Sequence, residues 1–211
     1  MKIIGMISTK GGIGKTQLSQ NLAVLFNENE GKAVIFDMDP QQTCLKWAMR
    51  RESETPFVIP ATLDDLDNKL DVARDEKIQY VIIDTPPRRH DPILTAVVER
   101  SDLIITPIRP EPKYLDGLED TWPEIENSKS AIAVLNAIPA DASSDGDDLH
   151  EFVAETCPDL LIASARLHYR KAVWQPDIAG KTVSELPQNL KYMKAKAETL
   201  ALFKQIKKEV K

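Results

Sequence analysis

STKGGIGKTQ, residues 8–17, directly follows the apolar run IIGMI at residues 3–7. After this run the chain must turn sharply and begin a helix at about Lys15. Gly11, Gly12 and Gly14 allow a positive φ and place no Cβ in the turn, so that successive backbone N–H groups can converge on an anion at the positive end of the helix dipole. The stretch predicts a phosphate-binding loop between a strand and a helix.

Two side chains of this loop suit a triphosphate. Lys15 is placed to neutralise the β- and γ-phosphates, and the Thr16 hydroxyl to ligate Mg²⁺. The general pattern G-x-x-x-x-G-K-[ST] requires glycine at position 9, where this chain has Thr9. A glycine-rich turn with incidental lysines is the alternative, but the apolar run before it and the helical pattern after it favour a phosphate loop.

Short apolar runs alternate with helical stretches along the chain. Most runs are continuous and rich in Ile and Val, as in strands that are buried on both faces of a parallel sheet. The predicted strands lie at residues 2–7, 33–36, 57–59, 80–83, 103–106 and 131–135, with a weaker one at 160–163. The pattern predicts an α/β fold, a doubly wound and mostly parallel sheet flanked by helices on both faces.

Amphipathic segments predict helices at residues 15–27, 41–50, 63–74, 93–99, 114–126 and 188–210. In the last of these, apolar residues recur at spacings of three or four and predict one face packed on the domain, with lysines on the other. These residues are Leu190, Met193, Ala197, Leu200, Phe203, Ile206 and Val210. DASSDGDD at 141–148 predicts a polar, disordered loop, and the length of the chain predicts one domain over residues 1–211.

Carboxylates follow the second and fourth predicted strands, and ligands of such sheets lie beyond the carboxyl ends of the strands. Asp37 and Asp39, in FDMDPQQT, stand two apart on one side of an extended chain. A carboxylate there can orient an attacking water or hold Mg²⁺ through its waters, and a helix N-cap is the alternative for Asp39. Asp84, after the apolar YVII, has the Walker B arrangement of a strand-terminal carboxylate near Mg²⁺.

KGGIGKT, residues 10–16, resembles the deviant Walker A box, KGGxGK[TS], of the ParA/MinD group of P-loop ATPases. The resemblance implies that Lys10 reaches across a dimer interface to the nucleotide of the second protomer, while Lys15 holds the nucleotide of its own. A triphosphate shielded from water needs more than one cation to offset its charge. The residues implied to bind ATP in the loop are Gly11, Gly12, Ile13, Gly14, Lys15, Thr16 and Gln17. Gln17 departs from the usual Thr or Ser, although its amide can still donate to an α-phosphate.

The resemblance extends to motifs farther along the chain. DxDPQ implies that Asp39 positions the attacking water, with Asp37 as its neighbour near the metal, and DTPP after the fourth strand resembles a switch-like loop. TPIRPEPKYLDGL resembles the proline-containing loop that leads into a helix of the dimer interface. VLNAIP implies that Asn136 contacts adenine, since its amide offers both a donor and an acceptor; an ordinary turn asparagine is the alternative.

Positive charge is concentrated near the end of the chain. The net charge is −6, but residues 163–211 contain eleven Lys and Arg against four Asp and Glu, which leaves −13 for residues 1–162. Such asymmetry is typical of a surface for a polyanion, and an acidic protein with one solvated basic helix is the alternative. In partition members of the resembled family, basic residues of this region bind DNA without sequence preference. The candidates here are Arg170, Lys171, Lys181, Lys191 and Lys194.

The resemblance implies an ATPase that is slow unless a small centromere-binding or adaptor protein stimulates it. It would bind nonspecific DNA as an ATP-bound homodimer and act in plasmid or chromosome partition. The alternatives are the same chemistry moving a protein cargo, such as a chemosensory cluster or a carboxysome, and a MinD-like membrane-associated regulator; Lys10 disfavours a metabolic P-loop enzyme. With no leader and no apolar run of about 20 residues, we expect a cytoplasmic protein, nucleoid-associated in its ATP state. Cys44 and Cys157 have no metal-ligand spacing and predict unpaired thiols.

Overall fold

One sheet of seven strands forms the centre of the computed structural model, which describes residues 1–140 and 144–210. The strands are β1 (Lys2–Met6), β2 (Ala33–Asp37), β3 (Phe57–Pro60), β4 (Tyr80–Asp84), β5 (Leu103–Ile108), β6 (Ala131–Leu135) and β7 (Leu161–Ile162). Their order across the sheet is β3-β2-β4-β1-β5-β6-β7, and each neighbouring pair is parallel. The predicted strands, including the weak seventh, and the doubly wound α/β fold are confirmed.

Helices connect the strands and cover both faces of the sheet. They are α1 (Lys15–Asn29), α2 (Thr43–Ala48), α3 (Leu66–Asp75), α4 (Pro92–Arg100), α5 (Pro112–Ile125), α6 (Asp145–Thr156), α7 (Lys171–Trp174), a 3₁₀ helix (Gln175–Ala179) and α8 (Leu190–Glu209). The six helices predicted from periodicity are present, with ends shifted by a few residues. Among residues 1–140 and 144–210, no helix combines the length and the apolar composition needed to cross a membrane.

The polar loop predicted at residues 141–148 is wrong from Asp145 onward, where α6 begins; residues 141–143 lie outside the described part of the chain. Two apolar residues one helical turn apart, Leu149 and Val153, are buried against the side of the sheet that carries Leu135. The acidic residues that suggested a loop lie in the first turn of α6, where the helix dipole favours negative charge.

Alternate residues of the strands point to opposite faces of the sheet. Ile4 and Met6 of β1 pack into one core cluster with residues of α1 and of the second half of α8. Ile3 and Ile7 pack into a second cluster with residues of α3 and α4. Because both faces of β1 are buried, its sequence is continuously apolar instead of alternating.

The register of the sheet brings the ends of β1, β2 and β4 into one row. Asp84 of β4 is paired with Met6 of β1 on one side and with Asp37 of β2 on the other. Two candidate carboxylates therefore stand on adjacent strands, beside the loop that follows β1.

The prediction that an apolar face of the last helix packs on the domain is wrong for the first half of that helix. The exposed residues are Leu190 (84%), Met193 (58%), Ala197 and Leu200 (40%). This half of α8 turns Ala195 inward against Ala172 and Val183, because residues 171–186 pack on that side of the helix. In the second half, the face is buried as predicted at Phe203, Ile206 and Val210.

We predict that Gly5→Ala destabilises the protein by about 1–3 kcal/mol, because a Cβ at this position would lie 2.8 Å from atoms of Ile104, Ser101 and Val97. The matched control is Gly11→Ala, whose Cβ would meet only Pro87, at 3.6 Å. Urea unfolding without nucleotide should show the control within about 0.5 kcal/mol of the unchanged protein. Equal stability of the two variants would contradict the close packing of β1 on α4.

Candidate functional site

The loop after β1 has the conformation that its glycines predict. Gly12 and Gly14 have φ values of 74° and 107°, and α1 begins at Lys15 as expected. A cavity of about 420 Å³ opens over the loop. It is lined by residues 11–17 and by Gln20, Asp39, Gln41, Thr43, Pro87 and Asp177. The N-terminus of α1 borders this cavity, which is a suitable position for an anion.

Lys15 and Thr16 lie where the phosphates and the metal are predicted. Lys15 is 6% exposed, and its Nζ donates to the Ser8 carbonyl oxygen at 3.2 Å. Burial lowers the pKa of Lys15, and the charges of Asp84 and Asp39 oppose this lowering. The Thr16 hydroxyl donates to Asp84 Oδ2 at 2.7 Å. An ammonium, a hydroxyl and a carboxylate therefore meet at one end of the loop.

Asp84 is enclosed by the protein. Besides Thr16, the Ser19 hydroxyl donates to it at 3.1 Å and the Cys44 thiol at 3.5 Å. Burial raises the pKa of Asp84 to about 6; the Thr16 hydroxyl opposes this and the negative charge of Asp37 adds to it. A divalent cation next to this carboxylate would offset its buried charge, and hydroxyl and carboxylate oxygens are ligands that Mg²⁺ prefers. The donors present therefore fit the predicted metal.

Asp37 and Asp39 have different surroundings. Asp37 is 2% exposed, and its two carboxylate oxygens accept from the backbone N–H groups of Leu45 at 3.0 Å and Asp39 at 3.2 Å. It thereby satisfies an N–H group in the first turn of α2. Asp39 is partly exposed at the cavity, and its Oδ1 accepts from the backbone N–H of Gln41 at 2.8 Å. The capping contact considered for Asp39 is made by Asp37, and Asp39 is the carboxylate that faces the cavity.

Lys10 lies outside the cavity that Lys15 borders. Its ammonium pairs with Asp120 of α5 at 3.3 Å, and a Cβ at Gly117 would meet Lys10 Cγ at 2.4 Å. Arg89, in the loop after β4, pairs with the same carboxylate at 2.9 Å. The two loop lysines therefore differ: Lys15 is buried beside the cavity, whereas the side chain of Lys10 lies along α5 and is 37% exposed.

Asn136 and Gln17 make contacts within the chain. Asn136 Nδ2 donates to the carbonyl oxygen of Ile13 at 2.8 Å, and a Cβ at Gly14 would come within 2.3 Å of the same nitrogen. Gln17 Nε2 donates to the carbonyl oxygen of Val173 at 2.7 Å, which joins the first turn of α1 to α7. The adenine contact of Asn136 and the phosphate contact of Gln17 remain predictions.

A second cavity, of about 290 Å³, adjoins the loop on the side of Asn136. Both cavities are lined by Gly12, Ile13, Gly14 and Gln17. The second has an aromatic side formed by Tyr169 and Trp174. Arg170 also lines it, but its guanidinium pairs with Glu198 at 2.8 Å and is only 23% exposed.

The candidate lysines of the C-terminal region are exposed, and none of them forms an ion pair with another residue of the ranges 1–140 and 144–210. They are Lys171, Lys181, Lys191 and Lys194. Arginines take up the carboxylates nearby: Arg50 pairs with Asp177, Arg51 with Glu185, and Arg170 with Glu198. The positive charge of the lysines is therefore not compensated, whereas that of Arg170 is.

Two hydrogen bonds that hold the loop after β1 in place were not predicted from the sequence. The Thr9 backbone N–H donates to Thr121 Oγ1 at 3.1 Å, and Arg109 Nη1 donates to the Gly12 carbonyl oxygen at 3.2 Å. These pairs are separated by 112 and 97 positions in the chain. Apart from the motif that leads into α5, the sequence holds no signal for either contact.

We predict that Asp84→Asn stabilises the nucleotide-free protein at neutral pH. Because the pKa of Asp84 is raised in the folded state, ionisation of this carboxyl group costs folding free energy as the pH rises from about 4 to about 7. Over that range the variant should gain on the order of 3 kcal/mol relative to the unchanged protein. Urea unfolding at pH 5 and pH 8 measures the difference, with Asp64→Asn, an exposed site, as the control for net charge. A gain that shrinks with rising pH would contradict the prediction.

Gln17→Ala should loosen α7, because the carbonyl oxygen of Val173 loses a hydrogen bond worth about 1 kcal/mol. Hydrogen exchange of peptides that cover residues 170–180 should become faster, while peptides from β5 keep their rates. Asn21→Ala is the comparison, since Asn21 Oδ1 accepts from the backbone N–H of Val183 and its loss should affect that part of the segment instead. Unchanged exchange at 170–180 in Gln17→Ala would mean that the contact does not hold α7.

Comparison with known proteins shows which protein family has a model that matches this chain. The model of the CobQ/CobB/MinD/ParA nucleotide binding domain matches residues 4–183. The "Maintenance of carboxysome distribution protein A" of Gloeobacter kilaueensis is 30% identical over 122 residues, which are 57% of this chain and 55% of that protein. The matched part of the chain thus spans about half the length of this relative.

Solved structures share the fold at low sequence identity. The ATP complex of an aspartate-to-alanine variant of Cyanothece McdA has a TM-score of 0.72 at 19% identity and covers 99% of this chain and 96% of that one. A Borrelia burgdorferi B31 protein described as a plasmid partition protein, bound to AMPPNP, has a TM-score of 0.68 at 18% identity and covers 97% of this chain and 99% of that one. Because the family model covers most of the chain, and the sheet and the loop agree with it, the chain belongs to the CobQ/CobB/MinD/ParA nucleotide-binding domain family.

Proposed function

We propose that the chain is a slow ATPase that binds Mg-ATP over residues 11–17, dimerises around two nucleotides and binds nonspecific DNA in that state. The observation that carries this proposal is the contrast between the two loop lysines. Lys15 is buried beside the cavity, whereas Lys10 extends along the surface of α5. A loop lysine that lies outside its own cavity is available to a nucleotide held by a second protomer.

The residues of the loop match the chemistry of ATP and Mg²⁺. Lys15 and the backbone N–H groups would receive the phosphates, and the second cavity, beside Asn136, would receive the adenine. Thr16 and Asp84 would hold Mg²⁺, with Asp37 as a further negative charge on the adjacent strand. No group of three or more His, Cys, Asp or Glu side chains within residues 1–140 and 144–210 could hold a metal by itself, so phosphate oxygens would complete the coordination. When bound, the ion neutralises charge on the β- and γ-phosphates.

Asp39 is the residue to which we assign the positioning of the attacking water. Its carboxylate is partly exposed at the cavity, and the N–H of Gln41 fixes the orientation of one oxygen. Lys15 and Lys10 of the second protomer would stabilise the charge of the transferred phosphoryl group. As the family resemblance implies, we expect slow hydrolysis that a partner protein accelerates.

Dimerisation in this scheme exchanges one ion pair for another. Lys10 leaves Asp120 of its own α5 and meets the phosphates of the second protomer. Partly exposed ion pairs such as the one between Lys10 and Asp120 contribute roughly 0–1 kcal/mol. The triphosphate has several negative charges in a site sheltered from water, so the new contact would be the stronger one.

We assign nonspecific DNA binding to Lys171, Lys181, Lys191 and Lys194. Two observations support this assignment: the four lysines are exposed, and none has a carboxylate partner in the described part of the chain. Each ammonium is therefore available to a backbone phosphate of DNA. Arg170, the fifth candidate, is paired with Glu198 and borders the second cavity, and its contribution to DNA binding should be the smallest.

The physiological role that we propose is ATP-driven positioning of a cargo. A centromere-binding or adaptor protein would attach the cargo and stimulate hydrolysis, and the ATP-bound dimer would lie on the nucleoid in the cytoplasm. Plasmid or chromosome partition is the first candidate cargo system, in keeping with the Borrelia structure. Carboxysome positioning is the second, and the Gloeobacter relative favours it.

The first test is a salt titration of binding to random-sequence duplex DNA with ATP, with ADP and without nucleotide, alongside the molar mass in solution. ATP alone should give a dimer and salt-sensitive DNA binding, and Lys10→Ala should abolish both while it still binds ATP as a monomer. Lys171→Ala should keep the dimer and reduce the slope of log K against log salt by about 2, because each dimer loses two phosphate contacts.

Lys32→Ala serves as the control for loss of a surface lysine, because Lys32 is exposed just before β2, at the end of the strands opposite the loop. DNA binding that does not depend on nucleotide would refute the assigned switch. A dimer that survives Lys10→Ala would refute the role given to this lysine.

A further inference from the structure

The first half of α8 has two apolar faces, of which only one is buried. Ala195 and Thr199 face the domain, whereas Leu190 and Met193 are 84% and 58% exposed. We call Leu190, Met193, Ala197 and Leu200 the outer stripe; all four are exposed. At 3.6 residues per turn, the outer stripe lies on nearly the opposite side of the helix from Ala195, Thr199 and Leu202. The domain that packs on α8 therefore does not cover the outer stripe.

The spacing of the outer stripe is that of a helix-packing seam. Its residues follow one another at intervals of three, four and three, which is the a/d repeat by which one helix packs along another. The stripe extends over about three turns. Leu and Met side chains make no favourable contact with DNA phosphates. The DNA binding assigned to nearby lysines therefore does not explain why this stripe is apolar.

The charges around the outer stripe are positive. Lys194 borders it, and Lys204 continues its line by one turn; both are exposed, and neither pairs with a carboxylate within residues 1–140 and 144–210. Glu198, one turn after Lys194, is occupied by Arg170 and His168. A second copy of this chain would bring lysines against lysines here. A partner with acidic residues would have complementary charge.

We propose that the outer stripe of α8 docks an amphipathic helix of another protein, with an apolar seam flanked by Asp and Glu. The proposal goes beyond the ATPase cycle and shares with the DNA assignment only Lys194. The partner helix would bury Leu190 and Met193 in its seam and set its carboxylates beside Lys194 and Lys204.

The test uses the full chain without nucleotide and a fluorescein-labelled synthetic peptide of three heptads, with Leu at the seam and Glu at the flanks. A matched peptide carries Lys at the flanks. Fluorescence anisotropy should show binding of the Glu peptide and none of the Lys peptide, with a gain of helical circular dichroism on mixing. Leu190→Gln with Met193→Gln should weaken binding at least about tenfold, whereas Met49→Gln, at an exposed site after α2, should not.

Lys194→Glu with Lys204→Glu should reverse the preference between the two peptides. Binding of the Glu peptide that survives the Leu190/Met193 double variant would overturn the proposal, and so would the absence of binding. If phosphatidylglycerol vesicles bind the chain through Leu190 and Met193 while neither peptide does, the stripe is a lipid contact and the proposal is wrong. The double variant leaves residues 11–17 unchanged and should still bind ATP. Measuring its ATP binding therefore distinguishes failure of the docking proposal from failure of the proposed ATPase function.

Discussion

The hydrogen bond from the Thr16 hydroxyl to Asp84 is the contact on which the site depends. It joins the first turn of α1 to the end of β4 and so fixes the loop between β1 and α1 relative to the sheet. The carboxylate that makes this contact is buried beside a second one, Asp37, on the adjacent strand. The fold therefore keeps a row of negative charge that is unfavourable without a cation, which is typical of a site shaped for a ligand and not for stability.

Elements from distant parts of the chain hold the loop from several sides. Thr121 of α5 binds the backbone at Thr9, and Arg109, just before α5, binds the carbonyl of Gly12. Asn136, after β6, holds the carbonyl of Ile13. Such bracing keeps the loop close to its productive geometry before a ligand arrives and lowers the cost of ordering it on binding.

The fold could be predicted largely from the sequence, because strands buried on both faces leave long apolar runs and the loop motif marks the first crossover. The positions of Asp84 and Asp39 could also be predicted from the sequence, since both residues come at the carboxyl ends of strands. The roles of Asp37 in capping α2 and of Asp120 in pairing with Lys10 did not, because they depend on which helix packs where. Periodicity also failed for the first half of α8: it detects apolar stripes, but it does not say which of two stripes the domain covers.

Asp120 is a counter-ion shared by two cations, Lys10 and Arg89, that come from different loops. Both ion pairs are partly exposed, so added salt screens and weakens them; the Debye length is about 10 Å at an ionic strength of 0.1 M. Rising ionic strength therefore frees Lys10, while it weakens any contact between surface lysines and a polyanion. The same screening weakens the attraction of Lys10 to the phosphates of a second protomer, so in the proposed cycle both dimerisation and DNA binding would lose electrostatic free energy as salt is added.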